Sequence, residues 1–319
     1  MTQAAGNKVV ILGTGGTIAG RAASAADNIG YTAAQVGVEQ LLSAIPGLPA
    51  QGLIAEQVAQ VDSKDMSFEV WQQLALRCAH WLAQDEVQGI VVTHGTDTLE
   101  ETAYFLQAVL DSRALAAKPV VLTCAMRPAT SLAPDGPQNM LDAVAVASTP
   151  GAHGVVAVCA GAIHGAQDVQ KTHTYRLDAF GSGDAGPLGY VEEGAVRLVR
   201  NWPAAHEQRT SSAMEKIATG GAWPRVEIVM NYAGASGAVV QALVKDGVQG
   251  LVVAATGNGT LHHELEAALL QAQAQGVKVV RATRCANGQV LPKPGDALPD
   301  SRGLPPVKAR IALMLELMA

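Results

Sequence analysis

Short apolar runs that end in glycine or polar residues recur along the chain, and stretches with apolar residues three and four apart lie between them. The runs predict buried strands, and the spaced stretches predict helices with one apolar face. The predicted strands are Val9–Leu12, Gly89–Thr93, Pro119–Thr123, Gly154–Cys159, Val226–Met230, Gly250–Ala254 and Val277–Arg281. The predicted helices are Phe68–Leu82, Leu99–Leu110, Asn139–Ala147, Ala235–Val244 and Glu264–Ala274. Because strands and helices alternate, we expect an α/β fold with a mainly parallel sheet, flanked by helices and joined by right-handed crossovers.

The alternation weakens between about residues 191 and 222, where only Val196–Val199 predicts a further strand, in a hairpin. The following segment is polar and contains proline and glycine, which is typical of a linker. We therefore predict a larger N-terminal α/β domain over 1–200, a linker over 201–222 and a smaller C-terminal α/β domain over 223–319. The segment 20–37 contains many small residues and little periodicity, which predicts a mobile loop that acts as a lid.

Composition and charge narrow the kind of ligand. The 319 residues are 49% hydrophobic and carry a formal net charge of −6 without a dense basic run, which favours a small molecule over nucleic acid or a membrane surface. Met1–Lys8 lacks the apolar core of a signal peptide, and no apolar run is long enough to span a bilayer. The cysteines are far apart and lack metal-site spacing, so they predict buried reduced thiols and no metal centre: Cys78, Cys124, Cys159 and Cys285.

Two threonine-rich segments, Ile11–Ala19 and Gly89–Glu101, carry the chemistry. Each is an apolar run that breaks into glycine and then presents a threonine. Because ligands bind at the carboxyl ends of parallel strands, Thr17 and Thr96 are candidates for one cleft. A dinucleotide site is disfavoured, because Ile18 stands where the third glycine of that fingerprint belongs. Flexible glycine backbone beside Thr17 instead suits a nucleophile next to N–H donors.

Further polar residues in and after the second threonine segment leave alternatives open. Asp97 or Thr98 is either part of the chemistry or an N-cap of the helix that follows, and Glu100 and Glu101 are expected to be charges of its first turn. Lys171 lies in a weakly hydrophobic loop, Gly165–Thr174, and a lone lysine is usually a solvated charge. Held near Thr96 and partly desolvated, it would instead act as a general base oriented by Asp97.

Motifs in one order from residue 11 to residue 261 resemble those of the bacterial-type L-asparaginase family, also called the asparaginase/glutaminase family. The matching segments are Thr14–Gly20, Thr93–Thr98 with Glu100–Ala103, Ala125–Pro128, Asp135–Pro137 with Asn139, Lys171–Thr172, Gly186–Tyr190, Asn231–Ala233 and Gly257–Gly259. The resemblance implies a hydrolase that converts L-asparagine to L-aspartate and ammonia through an acyl-threonine intermediate. It implies no cofactor.

The resemblance also assigns roles to residues. It implies that Thr17 is the nucleophile, that Tyr31 in the lid helps to activate it, and that Thr96, Asp97 and Lys171 form a supporting triad in the N-terminal catalytic domain. Ser63 matches the position that binds the substrate α-carboxylate, and Asp97 the position that meets its α-ammonium. The other implied substrate-binding residues are Gly16, Lys64, Gly95 and Ala125.

This chain departs from the family pattern around the α-amino end of the substrate. Lys64 replaces a glutamine, Gly234 replaces an asparagine, and the stretch Arg284–Val290 contains no counterpart of a glutamate that the partner subunit supplies. A cation facing a cation is unfavourable by about 1 kcal/mol at about 4 Å in water. Lys64 either points away or pairs with the substrate carboxylate. We expect asparagine hydrolysis with poor recognition of the ammonium group.

The resemblance also implies a homotetramer built from tight dimers. Gln84 and Ser112 occupy the positions of the disulfide found in secreted members, which favours the cytoplasm; the periplasm is the alternative if a leader precedes this sequence. Two competing functions are a glutaminase-asparaginase, or a hydrolase of another small carboxamide, and a non-catalytic binding protein or amidotransferase-type subunit. Retention of Thr17, Tyr31 and the Thr96 triad argues against the last.

Overall fold

The computed structural model describes residues 8–49, 51–203 and 211–319, and the chain divides into two compact units, Met1–Arg209 and Thr210–Ala319. The strands of the first unit are β1 (Lys8–Gly15), β2 (Leu53–Val61), β3 (Val87–Thr93), β4 (Pro119–Thr123), β5 (Gly154–Cys159), β6 (Ala162–Gly165), β7 (Gln170–Lys171), β8 (Phe180–Gly181), β9 (Gly189–Glu192) and β10 (Ala195–Leu198). Its helices are α1 (Val38–Ser43), α2 (Phe68–Leu82), α3 (Leu99–Val109), α4 (Ser112–Ala117) and α5 (Gly136–Ala147).

Within the described part of the first unit, eight strands form one sheet in the order β10-β9-β6-β5-β4-β3-β1-β2. The pairs from β2 to β5 are parallel, whereas β5-β6, β6-β9 and β9-β10 are antiparallel. β3, β4 and β5 are almost wholly buried, as expected for parallel strands covered on both faces by helices. The carboxyl ends of β1, β3 and β4 therefore lie side by side, which places the two threonine segments at one edge.

The second unit is a smaller α/β body with its own sheet. Its strands are β11 (Val226–Met230), β12 (Gly250–Ala255) and β13 (Lys278–Thr283), and its helices are α6 (Ser211–Ala218), α7 (Ala238–Lys245), α8 (His263–Ala274) and α9 (Pro306–Met318). The three strands are parallel, with β12 in the centre. Apolar residues of α7 and α8 pack against this sheet in one core. The expected fold class, with a larger mainly parallel unit and a smaller α/β unit, is confirmed.

Several sequence predictions need correction. The missed strands include β2, whose side chains are mostly half-buried and partly polar, so it lacks a strong apolar run. Lys171 lies in the short strand β7 rather than in a loop, paired with Phe180. Helix α6 lies inside the segment predicted as a linker, while the boundaries 1–200, 201–222 and 223–319 themselves stay a prediction. Cys285 is exposed, whereas the other three cysteines are buried, and all four are free thiols.

A buried polar relay fixes the backbone at the end of β3. Trp71 Nε1 donates to Thr102 Oγ1 over 2.9 Å, Thr102 Oγ1 lies 2.9 Å from His94 Nε2, and His94 Nδ1 lies 2.7 Å from Gly95 O. Because a carbonyl oxygen only accepts, His94 Nδ1–H donates to Gly95 O, and in the neutral ring Nε2 then accepts the proton of the Thr102 hydroxyl. Burial lowers the pKa of His94 to about 4, so the neutral ring that this relay requires is the stable form.

We predict that His94 makes the stability of the protein fall as the pH falls from about 6.5 to about 4. A depressed folded-state pKa means that the unfolded chain binds the proton first, so the free energy of unfolding is highest above pH 6.5 and decreases by up to about 3 kcal/mol over this window. His94→Gln removes this titration. The measurement is urea unfolding of the wild type and the variant at a series of pH values.

The expected signature is a stability difference between wild type and His94→Gln that shrinks as the pH is lowered. His80→Gln, at an exposed position of α2, is the control that removes an imidazole outside the buried relay. A wild-type to His94→Gln difference that stays constant from pH 7 to pH 4 would show that His94 does not titrate in this way.

Candidate active site

The two threonine segments touch through their glycines. Thr14 Oγ1 at the end of β1 donates to Thr93 O at the end of β3 over 2.7 Å, which ties the two strand ends together. Beyond it, Gly16 has φ 82°, and a Cβ built on Gly16 would lie 2.4 Å from Gly95 Cα. No side chain fits between these backbones. The next residue after each glycine is the candidate threonine, so Thr17 and Thr96 are held at one place.

Thr17 is paired with a tyrosine from the predicted lid. Thr17 begins a short 3₁₀ helix, Thr17–Ala19, and is 6% exposed. Its Oγ1 lies 2.6 Å from the hydroxyl oxygen of Tyr31, and either atom can be the donor. This is a direct contact between the two residues that the sequence predicts to act together, although they are 14 positions apart.

The lid is fastened to the loop that follows β4. Arg21 and Thr32 form an isolated antiparallel bridge that closes the base of the lid. Ala22 N donates to Thr130 Oγ1 over 2.9 Å, and Ser131 Oγ donates to Asn28 Oδ1 over 2.7 Å. Backbone hydrogen bonds join the same loops, from Ala129 N to Gly20 O and from Leu132 N to Ala25 O. These contacts hold the lid in the position that brings Tyr31 to Thr17.

Thr96, Asp97 and Lys171 form a second hydrogen-bonded group. Lys171 Nζ lies 2.8 Å from Thr96 Oγ1 and 2.6 Å from Asp97 Oδ1. The Lys171 side chain is 19% exposed and that of Asp97 is 51% exposed, so one end of the ion pair faces solvent. Lys171 N also donates to Glu100 Oε1 over 3.2 Å, which anchors β7 to the first turn of α3. Lys171 is therefore held by the site and is not a solvated surface charge.

The capping alternative for Asp97 and Thr98 is wrong for both side chains. Thr98 stands at the N-cap position of α3, but its side chain makes no capping hydrogen bond. The Thr98 hydroxyl donates instead to Ser63 O over 2.8 Å, and Asp97 N donates to Ser63 Oγ over 3.2 Å. Ser63 is 1% exposed, and a Cβ built on Gly95 would lie 2.4 Å from its Oγ. The turn after β2 is thus packed directly onto the threonine segments.

Lys64 is occupied by its own neighbours. Its Nζ lies 3.0 Å from Asp62 Oδ2 and 2.8 Å from Asp65 Oδ2, and its side chain is 61% exposed. These two carboxylates raise the pKa of Lys64, since they stabilise its charged form. The sequence left two alternatives for Lys64, which either points away from the substrate or pairs with its carboxylate. The structure favours the first, because the side chain is turned to Asp62 and Asp65, and a contact with substrate stays a prediction.

Ala125 lies at the end of β4, where side chains of α5 and its N-terminal turn hold the backbone. Ala125 is fully buried, and the next two backbone N–H groups, of Met126 and Arg127, donate to the Asp135 carboxylate over 2.9 and 3.0 Å. Asn139 Nδ2 donates to the carbonyl of the residue before Ala125 over 2.9 Å. The segment that the resemblance places against substrate is therefore rigidly supported.

The structure brings the five predicted catalytic residues into two groups, Thr17 with Tyr31 and Lys171 with Thr96 and Asp97, and the Gly16–Gly95 contact joins the two groups. The sequence did not identify the lid-fastening residues Thr130 and Ser131, or the relay through Thr102, because their partners come from distant segments. Among residues 8–49, 51–203 and 211–319, no cluster of three or more His, Cys, Asp or Glu residues is placed to hold a metal ion. In the same residues, no helix is both long and apolar enough to cross a membrane.

Known proteins resemble this chain over almost its whole length. L-asparaginase 2 of Bacillus subtilis (strain 168) is 39% identical over 313 residues, which cover 96% of this chain and 81% of that protein. A glutaminase-asparaginase of Pseudomonas fluorescens biotype A is 38% identical over 318 residues, 97% of this chain and 86% of that protein. The crystal structure of a probable cytoplasmic L-asparaginase from Campylobacter jejuni superposes with a TM-score of 0.90 at 36% identity, covering 98% of this chain and 95% of that one.

Two family models match consecutive parts of the sequence. The model for the asparaginase N-terminal domain matches residues 8–204, and the model for the glutaminase/asparaginase C-terminal domain matches residues 225–319. With these matches and with relatives at this level of identity over almost the whole chain, the protein belongs to the asparaginase/glutaminase family.

Proposed function

We propose that the protein hydrolyses L-asparagine to L-aspartate and ammonia through an acyl-threonine intermediate on Thr17. The observation that carries the proposal is the Gly16–Gly95 contact, which places a threonine–tyrosine pair beside a threonine–lysine–aspartate group. A weakly acidic hydroxyl needs a neighbouring proton acceptor to act as a nucleophile, and each threonine has one. The names of the relatives, L-asparaginase and glutaminase-asparaginase, support the same reaction.

In the first step, Thr17 Oγ1 attacks the carbon of the substrate side-chain amide. The Tyr31 hydroxyl, 2.6 Å away, accepts the Thr17 proton while passing its own proton on toward the departing nitrogen. A C–O bond to Thr17 forms, the C–N bond breaks, and ammonia leaves. The lid must stay closed during this step, because Tyr31 reaches Thr17 only through the lid.

The negative charge that develops on the amide oxygen needs fixed donors. We assign this role to backbone N–H groups of the Gly16–Thr17 and Gly95–Thr96 turns, whose positions are set by glycine packing and by the His94 hydrogen bond to Gly95 O. One such donor contributes about 3 kcal/mol to stabilising a transition state. The hydrogen bonds from Trp71 through Thr102 to His94 thus support catalysis, because they fix the orientation of the Gly95–Thr96 peptide group and its N–H.

In the second step, water cleaves the acyl-threonine ester. Thr96, whose Oγ1 lies 2.8 Å from Lys171 Nζ, takes a proton from the attacking water, and the proton relayed through this pair passes to the departing Thr17 oxygen. Water oxygen bonds to the acyl carbon, the ester bond breaks, and Thr17 recovers its proton as aspartate leaves. Asp97 orients Lys171 through Oδ1, which leaves its second oxygen for the substrate α-ammonium, while Ser63 binds the α-carboxylate.

A second candidate is activity on glutamine as well as asparagine. It is favoured by the 38% identity to a glutaminase-asparaginase. Both substrates present the same carboxamide to Thr17 and differ by one methylene, which an apolar pocket separates by only about 1–3 kcal/mol. The two activities are separated by comparing ammonia release from the two amino acids.

We also propose a homotetramer in the cytoplasm. Large apolar side chains of the second unit are exposed, including Ile228, Met230, Tyr232 and Val239, and such surfaces are typical of subunit contacts. Four free cysteines fit a reducing compartment. Analytical ultracentrifugation should give four times the mass of one chain, and a monomer would contradict the tetramer. Fractionation of native cells should place the activity in the cytoplasm, and activity released with the periplasm would contradict that location.

We predict that Thr17→Ala lowers the rate of ammonia release from L-asparagine at least about 10³-fold, because no ester can form. Thr17→Ser should retain measurable activity, since it keeps the hydroxyl. Thr96→Val, which has the same shape without the hydroxyl, should lower kcat about 10²–10⁴-fold. Thr174→Val, at an exposed threonine, is the matched control and should keep the wild-type rate. Full activity in both Thr17→Ala and Thr96→Val would remove the proposed nucleophile and its helper.

We predict weak recognition of the substrate ammonium, so that succinamic acid, which lacks the amine, is hydrolysed with a kcat/KM within about tenfold of that for L-asparagine. Lys64→Gln should lower KM for L-asparagine by up to about fivefold, with no change for succinamic acid. Lys278→Gln, at an exposed lysine of the second unit, is the control. Efficient turnover of micromolar asparagine with none of succinamic acid would contradict the prediction.

A further inference from the structure

Two free thiols lie in contact directly behind the candidate site. Cys124 follows β4 and Cys159 ends β5, and their Sγ atoms are 3.1 Å apart. This sulfur–sulfur distance is within hydrogen-bonding range, and either thiol can be the donor. Cys124 is 1% exposed and Cys159 is 4% exposed. The other two cysteines, Cys78 and Cys285, are also free thiols.

The fold imposes this proximity. Thr123 is paired with Val158 in the parallel β4-β5 ladder, so Cys124 and Cys159 occupy the next register position on adjacent strands. Adjacent strands are about 4.7–4.9 Å apart, and disulfides join residues whose Cα atoms are about 4.4–6.8 Å apart. The separation of adjacent strands therefore lies within the range of Cα distances that a disulfide can span.

One side chain clamps both strand ends. Asn139 Nδ2 donates to Cys124 O over 2.9 Å, and Asn139 Oδ1 accepts from Ala160 N, the residue after Cys159, over 2.9 Å. Thr123 Oγ1 adds a hydrogen bond to Val158 O over 2.9 Å. These bonds hold together the backbones that carry the two thiols.

We propose that Cys124 and Cys159 form an intramolecular disulfide when the protein meets a hydroperoxide, and that this bond lowers the activity of the neighbouring site reversibly. One thiol takes an oxygen atom from hydrogen peroxide to become a sulfenic acid and releases one water. The second thiol displaces the hydroxyl as a second water, and the S–S bond forms. Two thiols lose two electrons and two protons, and one peroxide is reduced to two waters.

The hydrogen bond from Cys159 and burial raise the pKa of Cys124, which disfavours the reactive thiolate. The reaction should therefore be slow, on a scale of minutes to hours, and should need a small oxidant. Once one sulfur is oxidised, the second step is fast because its partner is already in contact.

The bond affects the site through the backbone. Forming the disulfide brings the sulfurs about 1 Å closer, to about 2.0 Å. Ala125, the next residue after Cys124, is fully buried, and the segment beyond it is held by Asp135, so the end of β4 has no slack to absorb the movement. A shift of this size near reacting groups lowers rates by up to about 10²-fold.

The test uses the full chain with Cys285→Ala, which removes the exposed thiol. After incubation with hydrogen peroxide, intact-mass measurement should show loss of two hydrogens, and proteolytic mapping should give a peptide that joins Cys124 to Cys159. Ammonia release from asparagine should fall at least about tenfold and return with dithiothreitol. The proteolytic mapping needs no substrate, so it tests the disulfide even if the proposed hydrolysis of asparagine is wrong.

The control is Cys159→Ala in the same background, with Cys159→Val as a second variant that suits a strand if the first does not fold. Either variant should form no cross-link and keep its activity under the same peroxide treatment. Absence of the joined peptide in the protein with both thiols would overturn the disulfide. A joined peptide with unchanged activity, or equal loss of activity in the Cys159 variants, would overturn the coupling to the site.

Discussion

The site depends on the close approach of two glycine backbones. Gly16 and Gly95 touch where the ends of β1 and β3 meet, and a methyl group on Gly16 would overlap the Gly95 Cα. Gly16 also has a positive φ, a conformation that L side chains rarely adopt. Two separate physical requirements, space and backbone angle, thus select glycine at the same position. The hydroxyl chemistry follows from this contact, because each glycine is followed by a candidate threonine.

Other elements are arranged around that contact. Ser63, in the turn after β2, fills the space beside Gly95. The relay from Trp71 to His94 ends in a hydrogen bond that fixes the Gly95 carbonyl. β7 brings Lys171 from 75 positions away to the Thr96 hydroxyl, and the fastened lid brings Tyr31 to Thr17. Each threonine therefore receives a partner from a different part of the first unit.

The sequence predicts the buried parallel strands well, because β4, β5 and β12 are nearly continuous apolar runs that are buried throughout. It fails for β2 at the sheet edge, where half-buried polar and apolar residues mix, and for α9, which is buried on most sides and lacks a clear periodic face. The family resemblance names Thr17, Tyr31, Thr96, Asp97 and Lys171, and the structure brings them together in two groups. It says nothing of the Lys64 ion pairs, the exposure of Cys285 or the Cys124–Cys159 contact, which depend on neighbours distant in the chain or on local side-chain choices.

The most direct test of the account is the catalytic efficiency of Gly16→Ala compared with Gly151→Ala. Both glycines have φ near 80°, but a Cβ at Gly151 meets nothing within 4 Å, so this control separates backbone strain from the steric contact. Circular dichroism first establishes that both variants are folded. We then predict that Gly16→Ala lowers kcat/KM for L-asparagine at least about 10²-fold, because the two threonines are forced apart. Gly151→Ala should keep the wild-type value. Equal activity of the two variants would contradict the central role of the Gly16–Gly95 contact.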